Sequence, residues 1–233
     1  MDMTLFEKEF RKVGSICDNV KVNTYDEFVE ILKQYIEPGQ DEAKKDAIIL
    51  LGYSGNGKST WSREFRQKNS EFQEFSWDEE MGKLLRNRRG QKISGEEQLR
   101  VVGQSLEDKS DKNIVVDGNY LNLPLRVALI NTLHGYGYNV YLADLTPQIN
   151  ETLQYRIDDE IDKFRSDPRY MGCSDGEIRN HVTKGSYDFK ADEEKRSSFS
   201  EQVRCGAVGL GVEGVLTPTD FDMKEIKASP KTM

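Results

Sequence analysis

Gly52-Tyr53-Ser54-Gly55-Asn56-Gly57-Lys58-Ser59 follows an apolar run, Ala47-Ile48-Ile49-Leu50-Leu51, and precedes a helix-compatible run, Thr60-Trp61-Ser62-Arg63-Glu64-Phe65. The octapeptide is a complete G-x-x-x-x-G-K-[ST] phosphate-binding loop in its proper context of strand, glycine-rich turn and helix. Gly52 and Gly57 let the backbone approach a phosphate that a Cβ would hold off. Successive N–H groups make an anion nest, and the helix that follows presents its positive end. Lys58 is expected to reach the β- and γ-phosphates and Ser59 to offer its hydroxyl to Mg²⁺. Thr60 follows as a further nucleotide-contact candidate, or as a helix-surface or packing residue. The loop establishes binding of a nucleotide phosphate and leaves the phosphate acceptor open.

The 233 residues suffice for one sizeable core with a terminal subdomain. No apolar run reaches membrane-spanning length, and Met1-Asp2-Met3-Thr4 carries neither a basic leader nor a secretory apolar core. Cys17, Cys173 and Cys205 are few and far apart, as reduced thiols of a cytoplasmic protein would be, and two histidines give no zinc cluster. A net charge of −8 argues against broad attraction to nucleic acid and favours a small substrate or a specifically recognised end.

Outward from the loop, residues 46–165 read as the core, 1–45 as a helical extension, and 166–233 as a polar extension that completes the core or lies outside it. In the first segment, Leu5, Phe6, Phe10 and Val13 share one helical face, and Asp26 to Ile36 form a second helix stopped by Glu37-Pro38-Gly39. These helices pack beside the core or contact a partner. A second strand covers Phe72 to Trp77, with Asp78 just beyond it, twenty residues after Lys58. Placed there, Asp78 either orients an acceptor hydroxyl and takes its proton, or stabilises free N–H groups at a helix start; Glu79 and Glu80 are its neighbours. Arg86, Arg88 and Arg89 interrupt the acidic chain as a phosphate-contacting cluster or as solvated surface.

Asn113 to Asp117 is a buried strand ending in a carboxylate. Asp117 either positions Mg²⁺ and Ser59 or is structural. Arg126, at the start of the next helix, faces the substrate crevice or the surface. Tyr138 to Ala143 makes a fourth strand, ending at Asp144. Glu151 to Phe164 is a long helix bearing Arg156, with Arg165 just after it. A lid helix there would neutralise phosphoryl charge and exclude water; the alternative for each arginine is a helix salt bridge. Farther on, Lys184 to Ser200 reads as a polar surface segment, Val208 to Val215 as a glycine-weakened edge strand, and Lys224 to Met233 as a solvated tail.

The stretch from Gly52 to Phe65 closely resembles the phosphate loop and first helix of phage polynucleotide 5′-kinases, relatives of zeta-toxin-like and small-metabolite kinases. Phe75-Ser76-Trp77-Asp78 resembles that family's strand-end catalytic aspartate, and Ile114-Val115-Val116-Asp117, followed by Asn119 and Leu121-Asn122, its second acidic strand end. The chain carries Ser76-Trp77 where the polynucleotide enzymes commonly have a basic residue, and Gly118-Asn119-Tyr120 after Asp117. The resemblance implies an α/β P-loop kinase core, with a parallel sheet flanked by helices and a helical arginine-bearing lid. It implies transfer of the ATP γ-phosphate to a hydroxyl acceptor, with a DNA or RNA 5′-hydroxyl end as the leading candidate. In that reading Asp78, Lys58 and Arg156 are catalytic, Ser59 and Asp117 serve Mg²⁺, Arg126 binds acceptor phosphate, and Arg165 is a second lid arginine. A small-molecule, nucleotide or nucleotide-sugar kinase, a nucleic-acid-associated ATPase and an ATP-operated conformational switch are the competing readings.

Overall fold

The structure, a computed structural model, describes residues 2–39, 45–53, 56–88, 93–118, 120–146, 158, 161–162, 164–166, 172–181 and 189–228. Its centre is a five-stranded parallel sheet: β1 (Lys45–Leu51), β2 (Phe72–Ser76), β3 (Asn113–Asp117), β4 (Tyr138–Asp144) and β5 (Gly214–Leu216). The spatial order is β2-β3-β1-β4-β5, so β1 lies in the middle. Because every strand runs the same way, the residues that follow all five strands emerge at one edge of the sheet.

The alternation of side chains along β1 assigns the two layers. Ala47, Ile49 and Leu51 join Ile114, Val116, Val140 and Leu142 in a core packed against helices α1 (Leu5–Asn19), α5 (Gly95–Asp108) and α6 (Leu123–Gly135) through Phe6, Val102, Leu106, Leu129 and Leu133. Ile48 and Leu50 point the other way, with Val115, Tyr141 and Ala143, onto Trp61 and Phe65 of α3 (Lys58–Lys68). Helix α2 (Tyr25–Lys33) packs with α1 on α6 through Val29, Leu32, Val13 and Val127. Phe6 is wholly buried. Helix α4 (Trp77–Arg88) starts directly at the end of β2, so Trp77, expected as strand, is the first helical residue.

The C-terminal third corrects two sequence expectations. After α7 (Asp175–His181), residues expected to be a polar surface segment form α8 (Phe189–Arg204), with Phe199 and Gln202 buried. Residues 224–228 of the expected solvated tail belong to α9 (Met223–Ala228), whose first residue, Met223, is buried on the α3 face beside Phe221 and Ile226. Among the residues of α8 whose burial is described, one of the two buried side chains is the polar Gln202, which hydrophobic periodicity does not register. The edge strand occupies only Gly214–Leu216, after a 3₁₀ turn at Ala207–Gly209. Among the described residues no helix is long and apolar enough to cross a membrane.

Candidate active site

The site is assembled at the edge where β1, β3 and β2 end. Gly52 and Tyr53 leave β1 buried, and Asn56 turns the chain back by donating its N–H to Tyr53 O at 3.2 Å. The Asn56 side-chain amide donates to Leu145 O, which ties the loop to the end of β4. A Cβ on Gly52 would stand 3.2 Å from Asn56 Cβ and 3.3 Å from Lys58 Cγ, a tight fit that would press both side chains outward by a few tenths of an ångström. Gly57 holds φ +75° and ψ +16° at the N-cap of α3, a left-handed conformation that glycine adopts without strain. Its lack of a side chain leaves the first N–H groups of α3 without a side-chain cap, the condition under which a helix start can receive an anion.

Lys58 lies over this turn, its Nζ donating to Gly52 O and Tyr53 O at 3.0 Å each. Ser59 Oγ donates to Asp117 Oδ2 at 2.8 Å and so joins the phosphate loop to the end of β3. Asp117 is only 7 % exposed. Burial pushes its carboxyl above the ordinary aspartate value; the Ser59 hydroxyl and Lys58 pull it back, and the fields of Glu74 and Asp78 push it up again. These residues fit a magnesium nucleotide. The bare Gly52 cradle and the ammonium of Lys58 suit phosphate, and Ser59 with Asp117 offers hard oxygens, few enough to leave room for water and phosphate around Mg²⁺.

Asp78 occupies the first turn of α4 and is exposed. In the parallel register Ser76 lies level with Asp117, so Asp78 stands two residues past the end of the adjacent strand, inside the first turn of α4. The hydroxyl that caps α4 belongs to Ser76, which accepts from Glu79 N at 3.4 Å. Ser76 is therefore the N-cap, while Asp78 adds negative charge to the first turn, where it also favours the free N–H groups. Thr60 is exposed on the first turn of α3.

Arg126 departs from expectation. It was read as facing an acceptor phosphate, yet its side chain is wholly buried. Its Nη1 donates to Tyr120 O at 3.1 Å, and its Nη2 to Gln202 Oε1 at 2.7 Å and Ala207 O at 3.3 Å. Gln202 Nε2 in turn donates to Leu121 O at 2.8 Å. Arg126 thus clamps α8 onto the loop after β3. Burial drops its pKa to about 10, which leaves it charged at neutral pH, among neutral acceptors. Arg165 is exposed and gripped by Asp162 and Asp175, the latter from both Nε (3.0 Å) and Nη2. Arg156, Ser54 and Gly55 lie outside the described residues.

Two contributors escaped the sequence reading. Glu74, in mid-β2, receives Ser62 Oγ at 2.8 Å and Arg66, and its charge reaches Asp117. Tyr120 folds back over Gly118 with its ring edge-on to Trp77. The glycine two residues before an aromatic, just past a strand-end acid, was the available signal.

No protein-family model matches the chain, and no curated protein matches it. Among solved structures it is similar to one from the PezAT chromosomal toxin–antitoxin system of Streptococcus pneumoniae, at 16% identity over 91% of this chain and 86% of that chain, with a TM-score of 0.48. It is also similar to shikimate kinase from Bacteroides thetaiotaomicron, at 16% identity over 78% of this chain and 93% of that chain, with a TM-score of 0.33.

Proposed function

We propose that this protein is an ATP-dependent phosphotransferase that moves the γ-phosphate to an alcohol, with a polynucleotide 5′-hydroxyl as the leading acceptor. The observation that carries the reading is the Ser59–Asp117 hydrogen bond, 2.8 Å long, between the phosphate loop and β3, with Asp78 in the first turn of α4, two residues past the Ser76 that pairs with Asp117. In this reading the loop N–H groups and Lys58 gather the phosphates and stabilise the charge that spreads over the moving group. Ser59 and Asp117 hold Mg²⁺, which supplies neutralising charge at the phosphate oxygens when bound. Asp78 orients the acceptor hydroxyl and takes its proton as the new O–P bond forms and the bond from the γ-phosphorus to the bridging oxygen breaks, with ADP as the leaving group. Arg156 supplies a further positive charge from the lid. The protein would work where ATP is abundant, in the cytoplasm.

A second reading, transfer to a compact small molecule, nucleotide or nucleotide sugar, draws support from charge. The first turn of α4 carries Asp78, Glu79 and Glu80 together, in a chain of net charge −8. That rim repels a phosphate backbone more than it repels an uncharged polyol.

The test is single-turnover transfer from γ-labelled ATP to a panel of acceptors. A 5′-hydroxyl oligonucleotide is compared with its 5′-phosphorylated twin, and both with sugars, nucleosides and nucleotide sugars. Label on the 5′-hydroxyl strand alone supports the leading acceptor, and label on a small polyol supports the second. Nucleotide binding with label on no acceptor refutes the phosphotransferase and favours an ATP-operated switch.

A further inference from the structure

Past the ends of β3 and β2 stand two polar groups that feel each other's field, the Tyr120 hydroxyl and the Asp78 carboxylate. Tyr120 is wholly buried and its hydroxyl has no hydrogen-bond partner among the described residues. Asp78, exposed in the first turn of α4, is engaged by no hydrogen bond or ion pair among the described residues. Asp117, by contrast, already accepts from Ser59.

The phenol is held at this spot by three features. Its ring folds over Gly118, so that a Cβ there would lie 2.7 Å from Cε2 and 3.0 Å from the hydroxyl oxygen; the hydroxyl therefore sits at the end of β3, one residue past Asp117. Trp77, the residue before Asp78, packs edge-on against the ring at 6.4 Å and 79°. Arg126 fixes the backbone by donating to the Tyr120 carbonyl at 3.1 Å. Burial first, then the fields of Asp117 and Asp78, raise the phenol's pKa, so the group stays protonated and remains a donor.

We propose that Tyr120 is a positioning residue whose hydroxyl donates to one oxygen of Asp78 in the loaded site, leaving the other oxygen to take the acceptor's proton. This rests on the phosphotransferase reading above and assigns its base an orienting partner. A base held by a third group is the usual arrangement where proton transfer depends on aim. A buried donor left unsatisfied in the empty site is a cost that the loaded site removes.

Tyr120→Phe tests this directly, because it deletes one oxygen and keeps the ring. The expected result is a kcat about 10–100-fold lower, the range set by losing an orienting partner, with the KM values for ATP and acceptor within about twofold. Thermal stability of the empty protein should stay level or rise, since an orphan buried hydroxyl is gone. In an Asp78→Asn background the same substitution should cost nothing more, because the two residues act as one unit. Unchanged kcat overturns the proposal. So does a loss of kcat accompanied by lower stability and raised KM values, which marks a packing role, or a loss that persists in full beside Asp78→Asn, which marks action elsewhere. Wild-type protein that transfers phosphate to no acceptor defeats the phosphotransferase reading itself, a failure visible before any variant is compared.

Discussion

Replacing Gly118 by alanine tests the packing of Tyr120 just past the end of β3. An ideal Cβ at 118 would lie 2.7, 2.9 and 3.0 Å from Tyr120 Cε2, Cζ and the hydroxyl oxygen. Carbon atoms pack best at about 3.5–4.0 Å, so the ring must give by about 0.8 Å or more. It has little room to do so, being wholly buried in the α5/α6-side core with Trp77 against it. Overpacking of this kind costs about 1–3 kcal/mol. Gly118 is not among the positive-φ glycines, so the backbone already suits alanine. The less flexible unfolded chain then returns about 0.4–1 kcal/mol. The net loss is about 1–2 kcal/mol, a fall in Tm of about 2–8 °C for a chain of this size. Calorimetry or chemical denaturation reads it. Gly14→Ala is the control: it lies inside α1 with nothing within 4 Å of a Cβ, and alanine there should stabilise by about 0.5–1 kcal/mol. In a Tyr120→Ala background the cost of Gly118→Ala should vanish, a coupling of about 1 kcal/mol or more. Wild-type stability for Gly118→Ala, or an undiminished loss once the ring is gone, would refute the reasoning.

Two further substitutions probe the site and its support. Burial raises the Asp117 carboxyl in the fold, so the folded chain keeps that proton to higher pH than the unfolded chain, and stability falls as pH rises through that window. Asp117→Asn should therefore melt above wild type at neutral pH, converge with it below about pH 4, and weaken Mg²⁺-dependent nucleotide binding. Thermal scans across pH with nucleotide titrations check this, and a less stable asparagine variant at neutral pH contradicts it. Gln202→Leu removes the 2.7 Å acceptor of Arg126 and the 2.8 Å donor to Leu121 O, both buried. It should cost about 2–4 kcal/mol in chemical denaturation, and near wild-type stability would show that α8 does not brace the loop after β3.

The sequence was most readable where one physical signal dominated. The strands at Ala47–Leu51, Asn113–Asp117 and Tyr138–Asp144 are apolar runs buried on both faces, and each appears where expected. The phosphate loop was legible because phosphate chemistry fixes residue types at fixed spacing. Asp117 was legible as the residue ending its strand and Asp78 as one just beyond its own; the parallel register sets Ser76 level with Asp117, and Asp78 follows in the first turn of α4. What sequence could not supply was direction. Arg126, at the head of a helix beside the crevice, turns inward because Gln202 and Ala207, far along the chain, provide its acceptors. For the same reason α8 was missed: its buried Gln202 is an interior residue only by virtue of its partners. Tyr120 looked like an ordinary turn residue until Gly118 was seen to make room for its ring.

The most direct test of the account pairs two readings on Asp78→Asn: nucleotide affinity, and single-turnover phosphate transfer to whichever acceptor the wild-type protein labels. With an exposed carboxylate that neither caps α4 nor bonds to the loop, nucleotide should bind the variant within about threefold of wild type while transfer falls by about 100-fold or more. Transfer at the wild-type rate by the folded variant would contradict the claim that this edge carries the base.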